Sequence, residues 1–527
     1  MTNHSLLQKL RKQYRPQIAD CLSDFVAWEE KKVPCLQNDV LKTFPHISQN
    51  PILEAKKSPI KELKSLRVGV VFSGGPAAGG HNCLWGLYEG IKKYHKESSL
   101  VGFLSGPSGI IEGKYKELDD QILQDYYNEG GFDCLGSGRT KIETKEQFEK
   151  AKQTIKQLAL DALVVIGGDD TNTNAALLAE YLEAENEKVA VIGIPKTIDG
   201  DMRGEMIEAS FGFDSAAAVY AELLGNIARD AISSRKYYHF VKIMGRTASH
   251  LALECALAVQ PNLTFIGEEV QDLQLSIKDI TDEIVNLVEA RAKKGIYHGV
   301  IVFPEGLIEF IPEMKSLIKE LNALLAKMDQ NQAIEHLSAK AKDLFLRLPQ
   351  KIQQQLLIDR DSHGNVQVSL IETEKLFLEL SQEELGKRGS KFSPLSHFFG
   401  YEGRCCLPTN FDATYCFNLG LAAAHIAMKG VTGYIVAIAN LTKDPQDWIV
   451  KALPLARLIH FEMRKGVMKP VIEKKLVDVK GLVFKQFMKN REECKLQDCY
   501  INPGPIQFFG PAANKISSTL IIENQKQ

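Results

Sequence analysis

Two short segments place pairs of carboxylates directly after runs of apolar, largely β-branched residues. Gly167-Gly-Asp-Asp-Thr-Asn-Thr-Asn sets Asp169 beside Asp170, ahead of hydroxyl and amide side chains. Thr197-Ile-Asp-Gly-Asp separates Asp199 from Asp201 by Gly200, with Lys196 immediately before it. A helix cap accounts for one acid of the first pair but not for both. Read as chemistry, Asp169 is a ligand for Mg2+, and Asp170 repels any further anionic group beside bound phosphates. The second pair can divide labour: one carboxylate accepts a hydroxyl proton, and the other raises its basicity or orients metal and phosphate. Lys196 adds a compact positive charge suited to a phosphate oxygen.

Other segments could complete such a site. Ser73-Gly-Gly-Pro-Ala-Ala-Gly-Gly, which includes Gly75, offers backbone amides with little side-chain bulk at the start of a helix, where anions bind. It has neither the GK[ST] ending of a Walker loop nor a regular GxGxxG. Met244-Gly245-Arg246 combines close backbone approach with a guanidinium, Pro304-Glu305-Gly supplies an acceptor for sugar hydroxyls, and Tyr401-Glu-Gly-Arg404 adds a phenol and a second guanidinium. Each of these alone also reads as ordinary capping or salt bridging.

The elements that must position these residues follow from the apolar runs. Leu66–Phe72, Leu160–Ile166 and Val189–Ile194 lack clean alternation and are separated by helix-length segments, the pattern of parallel strands covered on both faces. Ligands then belong at the strands' carboxyl ends. A second set starts near residue 235, with strands expected from Tyr238, Leu263 and Ile296, and a further one at Gly433-Tyr-Ile-Val-Ala-Ile-Ala. Residues 274–294 and 313–357 read as helical, with Leu317, Leu321, Leu324, Leu325 and Met328 as one apolar stripe. His363-Gly-Asn reads as a turn, Val366–Ile371 as a strand, and 419–428 as a small-residue helix. Residues 1–60 carry no motif and read as an extension of one or two helices.

With 527 residues, 44% hydrophobic and 25% charged, the chain is long enough for more than one core and too apolar for a disordered protein. A formal charge of -2 removes the basic balance of a nonspecific nucleic-acid binder, so any anionic ligand needs a local cluster. The 10 cysteines form no repeated CxxC pairs, no run of 18 apolar residues appears, and the first residues lack a signal-peptide core. These features lead us to expect a reduced, cytoplasmic protein with no nucleic-acid or membrane partner.

In order along the chain, Gly74-Gly-Pro-Ala-Ala-Gly-Gly-His-Asn, Gly167-Gly-Asp-Asp, Pro195-Lys-Thr-Ile-Asp-Gly-Asp, Met244-Gly-Arg, Pro304-Glu-Gly and Gly400-Tyr-Glu-Gly-Arg resemble the motif set of the phosphofructokinase family, in its long, diphosphate-dependent form. The resemblance implies an α/β fold of two three-layer domains facing a cleft, with a helical insertion near 313–357. It divides the chain into an extension (1–60), a phosphoryl-donor domain (61–234), a sugar-phosphate domain (235–415) and a returning segment (416–527). It implies diphosphate and fructose 6-phosphate as substrates and Mg2+ as cofactor. Gly75, Lys196 and Arg139 would meet diphosphate, Asp169 the metal, and Asp199 the sugar hydroxyl, with Asp201, Asp170 and Lys196 assisting. Thr197, Met244, Gly245, Arg246, Glu305, Tyr401 and Arg404 would contact the sugar phosphate. Lys236 and Tyr237 would come from a neighbouring subunit, which requires a homodimer or larger. An ATP-dependent relative or a noncatalytic regulatory subunit remains the alternative, and Asp170 with Lys196 resembles the diphosphate-using pattern.

Overall fold

The computed structural model describes residues 4–32, 36–59, 64–204, 206–360, 366–464 and 467–525. The first strands are β1 (Phe25–Lys31), β2 (Ile52–Ser58), β3 (Arg67–Phe72), β4 (Ser99–Phe103), β5 (Tyr115–Leu118), β6 (Ala162–Gly167) and β7 (Ala190–Pro195). They are followed by β8 (Tyr237–Ile243), β9 (Leu263–Thr264), β10 (His298–Pro304) and β11 (Pro394–Phe399). The last are β12 (Tyr434–Ala439), β13 (Ile449–Pro454), β14 (Ile459–Arg464) and β15 (Val467–Ile472). The chain divides into two compact units: Met1–Ala216 with Tyr401–Lys475 and Ile506–Ile516, and Ala217–Gly400 with Leu476–Pro505 and Ser517–Gln527. Passages at 216/217 and 400/401 thus stand beside the 234/235 and 415/416 read from the sequence.

The first unit is built on a 9-stranded sheet, in the order β1-β2-β13-β12-β7-β6-β3-β4-β5, with β14 and β15 paired apart from it. Its middle, β4 to β12, is parallel, and every residue of β6 and β7 is buried. That double burial is why these strands read as unbroken apolar runs. Val71, Leu163, Val165 and Val191 pack with Ile155, Ala176 and Leu182 of the helices Lys145–Gln157 and Asp169–Ala184. Phe72 points the other way and stacks on Phe132 at 4.0 Å. The helices Gly80–Tyr94 and Asn410–Lys429 touch backbone to backbone, since a Cβ on Gly86 would stand 2.0 Å from the Phe417 carbonyl. This contact explains the small residues at 419–428, although the helix begins earlier, at Asn410, where Thr409 Oγ1 accepts from the Asp412 amide at 3.1 Å.

Residues 1–60 correct the expectation of an appended helix or two. They hold the helices Leu6–Arg11 and Asn38–Thr43, but also β1 and β2, which join the sheet through pairing of Glu54 with Lys451 on β13. The period of β1 is blurred because it is the sheet's edge, and only Phe25 in it is buried.

The second unit carries the parallel sheet β11-β8-β10-β9, with Phe240, Phe265, Phe303 and Phe377 in its core. The insertion is four helices, Pro312–Leu325, Gln330–Glu335, Ala339–Arg347 and Gln350–Ile358. Leu317 and Leu321 are buried and Leu324 and Leu325 half-buried, whereas the helix has ended before Met328, which shortens the expected stripe. The strand expected at Val366–Ile371 is instead a single bridge from Val366 to Arg360 and a 3-10 turn, Val368–Leu370. Val368 and Ile371, three apart, both face the core, as the eclipsed period of such a turn requires. The strand from Leu263 is only two residues long, because Gly267 already opens a helix. His363-Gly-Asn lies outside the described residues. Among those described, no helix is long and apolar enough to cross a membrane.

Candidate active site

In the first unit β3, β6 and β7 lie side by side with their carboxyl ends in register, Phe72 opposite Ile166 and Gly167 opposite Pro195. The three motifs that follow therefore stand in a row. The Ser73 amide donates to the Ile166 carbonyl at 2.9 Å, and the Lys196 amide to the Gly167 carbonyl at 3.0 Å. Gly74 has φ 85°, and a Cβ there would be 3.2 Å from Lys196 Nζ. A Cβ on Gly75 would be 2.7 Å from Arg404 Nη1. The positive φ of Gly74 favours glycine, and a side chain at Gly75 would push the Arg404 guanidinium aside. The Gly74 amide also donates to the Gly138 carbonyl at 2.9 Å, and Ser137 Oγ to the Gly74 carbonyl at 2.6 Å, which draws exposed Arg139 to the same loop.

Asp169 and Asp170 are the first two residues of their helix, where an acid faces the positive end of the helix dipole. Asn172 Nδ2 ties down the turn by donating to the Gly167 and Gly168 carbonyls at 2.7 and 2.9 Å. Asp170 is exposed and lies 3.2 Å from Lys141 Nζ. Beyond β7, the Asp199 amide donates to Thr197 Oγ1 at 3.1 Å, and Asp201 is 4% exposed. Burial, and then repulsion from Asp199, push the Asp201 carboxyl up to about 6. Burial, and then repulsion from Arg404, push the Lys196 amine down to about 8, against the attraction of Asp199, Asp169 and Asp201.

The sequence reading missed Lys474. Its Nζ stands 3.5 Å from Asp169 Oδ2 and 3.7 Å from Asp201 Oδ2. It belongs to no glycine-rich motif, and only its position two residues past β15 could have flagged it. The lysine shows that Asp169 and Asp201 converge on one cation position, so they fit Mg2+. Among the described residues no group of three or more His, Cys, Asp or Glu is arranged around a metal position. Two carboxylates are nevertheless an ordinary protein share for Mg2+, which keeps waters and takes substrate phosphate oxygens as well.

In the second unit the ends of β8 and β10 are paired, Ile243 opposite Pro304. The Gly245 amide donates to Glu305 Oε2 at 3.0 Å, and the Glu305 amide to the Ile243 carbonyl at 2.8 Å. Gly245 has φ 131°, Met244 and Glu305 are buried, and Arg246 is exposed. Lys236 and Tyr237 do not join this group. They stand at the opposite end of β8, about 20 Å away at strand rise. Tyr237 has φ 75°, and Lys236 Nζ lies 4.7 Å from the centre of its ring. In the first unit, Arg404 lies 5.4 Å from the ring centre of Tyr401, which is 71% exposed. Arg404, read as a sugar contact, thus sits against the Gly75 loop.

Glycine loops, paired acids and a buried lysine at parallel strand ends are the equipment of phosphoryl transfer without a Walker loop. The chain belongs to the phosphofructokinase family, whose model, Phosphofructokinase, matches residues 67–427. Among its relatives, pyrophosphate--fructose 6-phosphate 1-phosphotransferase subunit beta 2 of Arabidopsis thaliana is 48% identical over 92% of this chain and 87% of its own length. The pyrophosphate--fructose 6-phosphate 1-phosphotransferase of Treponema pallidum is 46% identical over 97% of this chain and 95% of its own. The solved pyrophosphate-dependent phosphofructokinase from Nitrosospira multiformis shares the fold, with a TM-score of 0.57 at 15% identity, over 86% of this chain and 97% of that one. The fold is accordingly α/β of the phosphofructokinase type.

Proposed function

We propose that the protein reversibly transfers a phosphoryl group from diphosphate to the 1-hydroxyl of fructose 6-phosphate, giving fructose 1,6-bisphosphate and phosphate, a step of glycolysis. The observation that carries this reading is the donor loop of Gly74 and Gly75, closed in by the Lys196 amine and the Arg404 guanidinium. Such a loop holds a small, dense anion. The relatives' names support the same reaction.

Backbone amides at Gly75, with Lys196 and Arg139, bind diphosphate and neutralise charge on the transferred group. Asp199 takes the proton from the sugar's 1-hydroxyl, with Thr197 beside it and Asp201 supporting. Mg2+, held by Asp169 with Asp201 nearby, would screen the diphosphate charge. Asp170 carries a negative charge at the start of the helix and repels the extra phosphate of ATP. Met244, Gly245, Arg246, Glu305, Tyr401 and Arg404 are assigned to the sugar phosphate, Arg404 from beside the Gly75 loop, where its charge also serves the donor. Lys236 and Tyr237 are assigned to the site of a second copy, since one strand length separates them from Gly245 in their own unit. This makes a homodimer the smallest complete enzyme. The nine described cysteines are free thiols, which suits the cytoplasm.

The deciding assay compares diphosphate with ATP at equal Mg2+ and fructose 6-phosphate and measures fructose 1,6-bisphosphate. Diphosphate should be the better donor by far. A faster rate with ATP would replace this reading with an ATP-dependent kinase, and no rate with either donor would leave a noncatalytic subunit.

A further inference from the structure

Lys474 is placed by the backbone on both sides of it. Two residues before it, the Ile472 amide donates to Thr173 Oγ1 at 3.1 Å, and Thr173 belongs to the helix that Asp169 opens. One residue after it, the Lys475 amide donates to the Asp201 carbonyl at 2.7 Å. The segment is thereby fastened to the two elements that carry the acids. The position of its ammonium, 3.5 Å from Asp169 and 3.7 Å from Asp201, is a product of the fold. Its side chain is 28% exposed and that of Asp201 6%, so the cation and its acids are largely withdrawn from water, where screening is weak.

Mg2+ takes carboxylate oxygens at about 2.0–2.1 Å. An ion bound between the two acids enters the space that the ammonium faces, where two like charges repel at short range. Lysine and metal therefore compete for the same pair of carboxylates. An ammonium shifted from these acids is stabilised by a further anion within reach of its tether, and the diphosphate of the proposed reaction brings one to this end of the unit.

We propose that Lys474 is the resident countercation of the Asp169–Asp201 site: it keeps free Mg2+ out and, once displaced, pairs with the diphosphate that accompanies the metal. This rests on the assignment of Asp169 to the metal. Metal and diphosphate then bind with positive coupling, because the lysine that opposes one becomes a ligand of the other.

The test is Mn2+ titration of the full-length protein without diphosphate, followed by electron paramagnetic resonance, together with the KM for diphosphate at saturating Mg2+. The proteins are the parent, Lys474→Met, Lys474→Arg and Asp169→Asn, each checked by thermal melting. Lys474→Met should bind Mn2+ at least about 10-fold tighter than the parent, yet show a KM for diphosphate raised by at least about 10-fold, within the usual range of coupling between sites. Lys474→Arg, which keeps the charge, should bind Mn2+ no tighter than the parent. Mn2+ affinity unchanged or weakened in Lys474→Met, while Asp169→Asn loses the ion, overturns the countercation and leaves the metal assignment standing. Equal Mn2+ binding by the parent and Asp169→Asn overturns the metal assignment itself.

Discussion

The Gly75 α-carbon lies so close to the Arg404 guanidinium that a single methyl group between them would stand 2.7 Å from Nη1. The obstructing atoms are the far end of a flexible side chain, so Gly75→Ala moves Arg404 and spares the fold. The expected result is a loss of about 10- to 100-fold in kcat/KM for diphosphate, as for a small misplacement of a binding group. The melting temperature should stay close to that of the parent. Parental kcat/KM in a folded Gly75→Ala protein would separate Arg404 from the donor loop.

The Lys196 amine, pushed down to about 8, supplies a pH signature. The charged form is the one that binds phosphate. It is full below that value and is lost as pH rises through it, so kcat/KM for diphosphate should fall above about pH 8. A guanidinium stays charged throughout this range. Lys196→Arg should therefore lower activity but lose the alkaline limb. A limb that persists unchanged in Lys196→Arg belongs to another group.

Asp199→Asn should keep most sugar affinity and lose at least about 100-fold in kcat, the low end for a positioned general base. Lys236→Ala should also be poor alone. Because Lys236 lies a strand length from Gly245, mixed dimers of the two variants should contain one site with both halves intact. Separately tagged, purified heterodimers should regain activity over either homodimer. Heterodimers no more active than the homodimers would confine Lys236 to its own subunit.

Asp170 is exposed at the start of its helix and engaged by Lys141 at 3.2 Å. Asp170→Gly should reduce diphosphate use and admit some ATP at high KM, and combination with Lys196→Gly should raise the ATP-to-diphosphate ratio further. The ratio of kcat/KM values in parent, single and double variants checks this. A ratio constant across the three would remove both residues from donor choice.

The interior parallel strands were legible because burial on both faces leaves an unbroken apolar run, and β3, β6 and β7 lie within a residue or two of where those runs end. Glycine loops at their carboxyl ends were equally plain. What escaped was set by partners distant in sequence. β1 and β2 exist because β13 offers them an edge some 400 residues later, and β1 alone buries little but Phe25. The Val366 segment alternates like a strand, but its apolar side chains are satisfied by a tight turn. Lys474 shows no local sign of its role, which is conferred by Asp169 and Asp201 together. The separation of Lys236 from Gly245 likewise required knowing that one strand runs between them.

The place of β12 in the sheet, against β7 and beside β13, sets a timetable for synthesis. A nascent chain that has emerged through β7 presents an apolar strand with a bare edge, and the strand that covers it is encoded more than 200 residues downstream. Until then the half-made sheet is a template for pairing with other chains. The first unit should therefore gain from shielding during synthesis, and premature termination before Tyr434 should yield an aggregating fragment rather than a smaller enzyme.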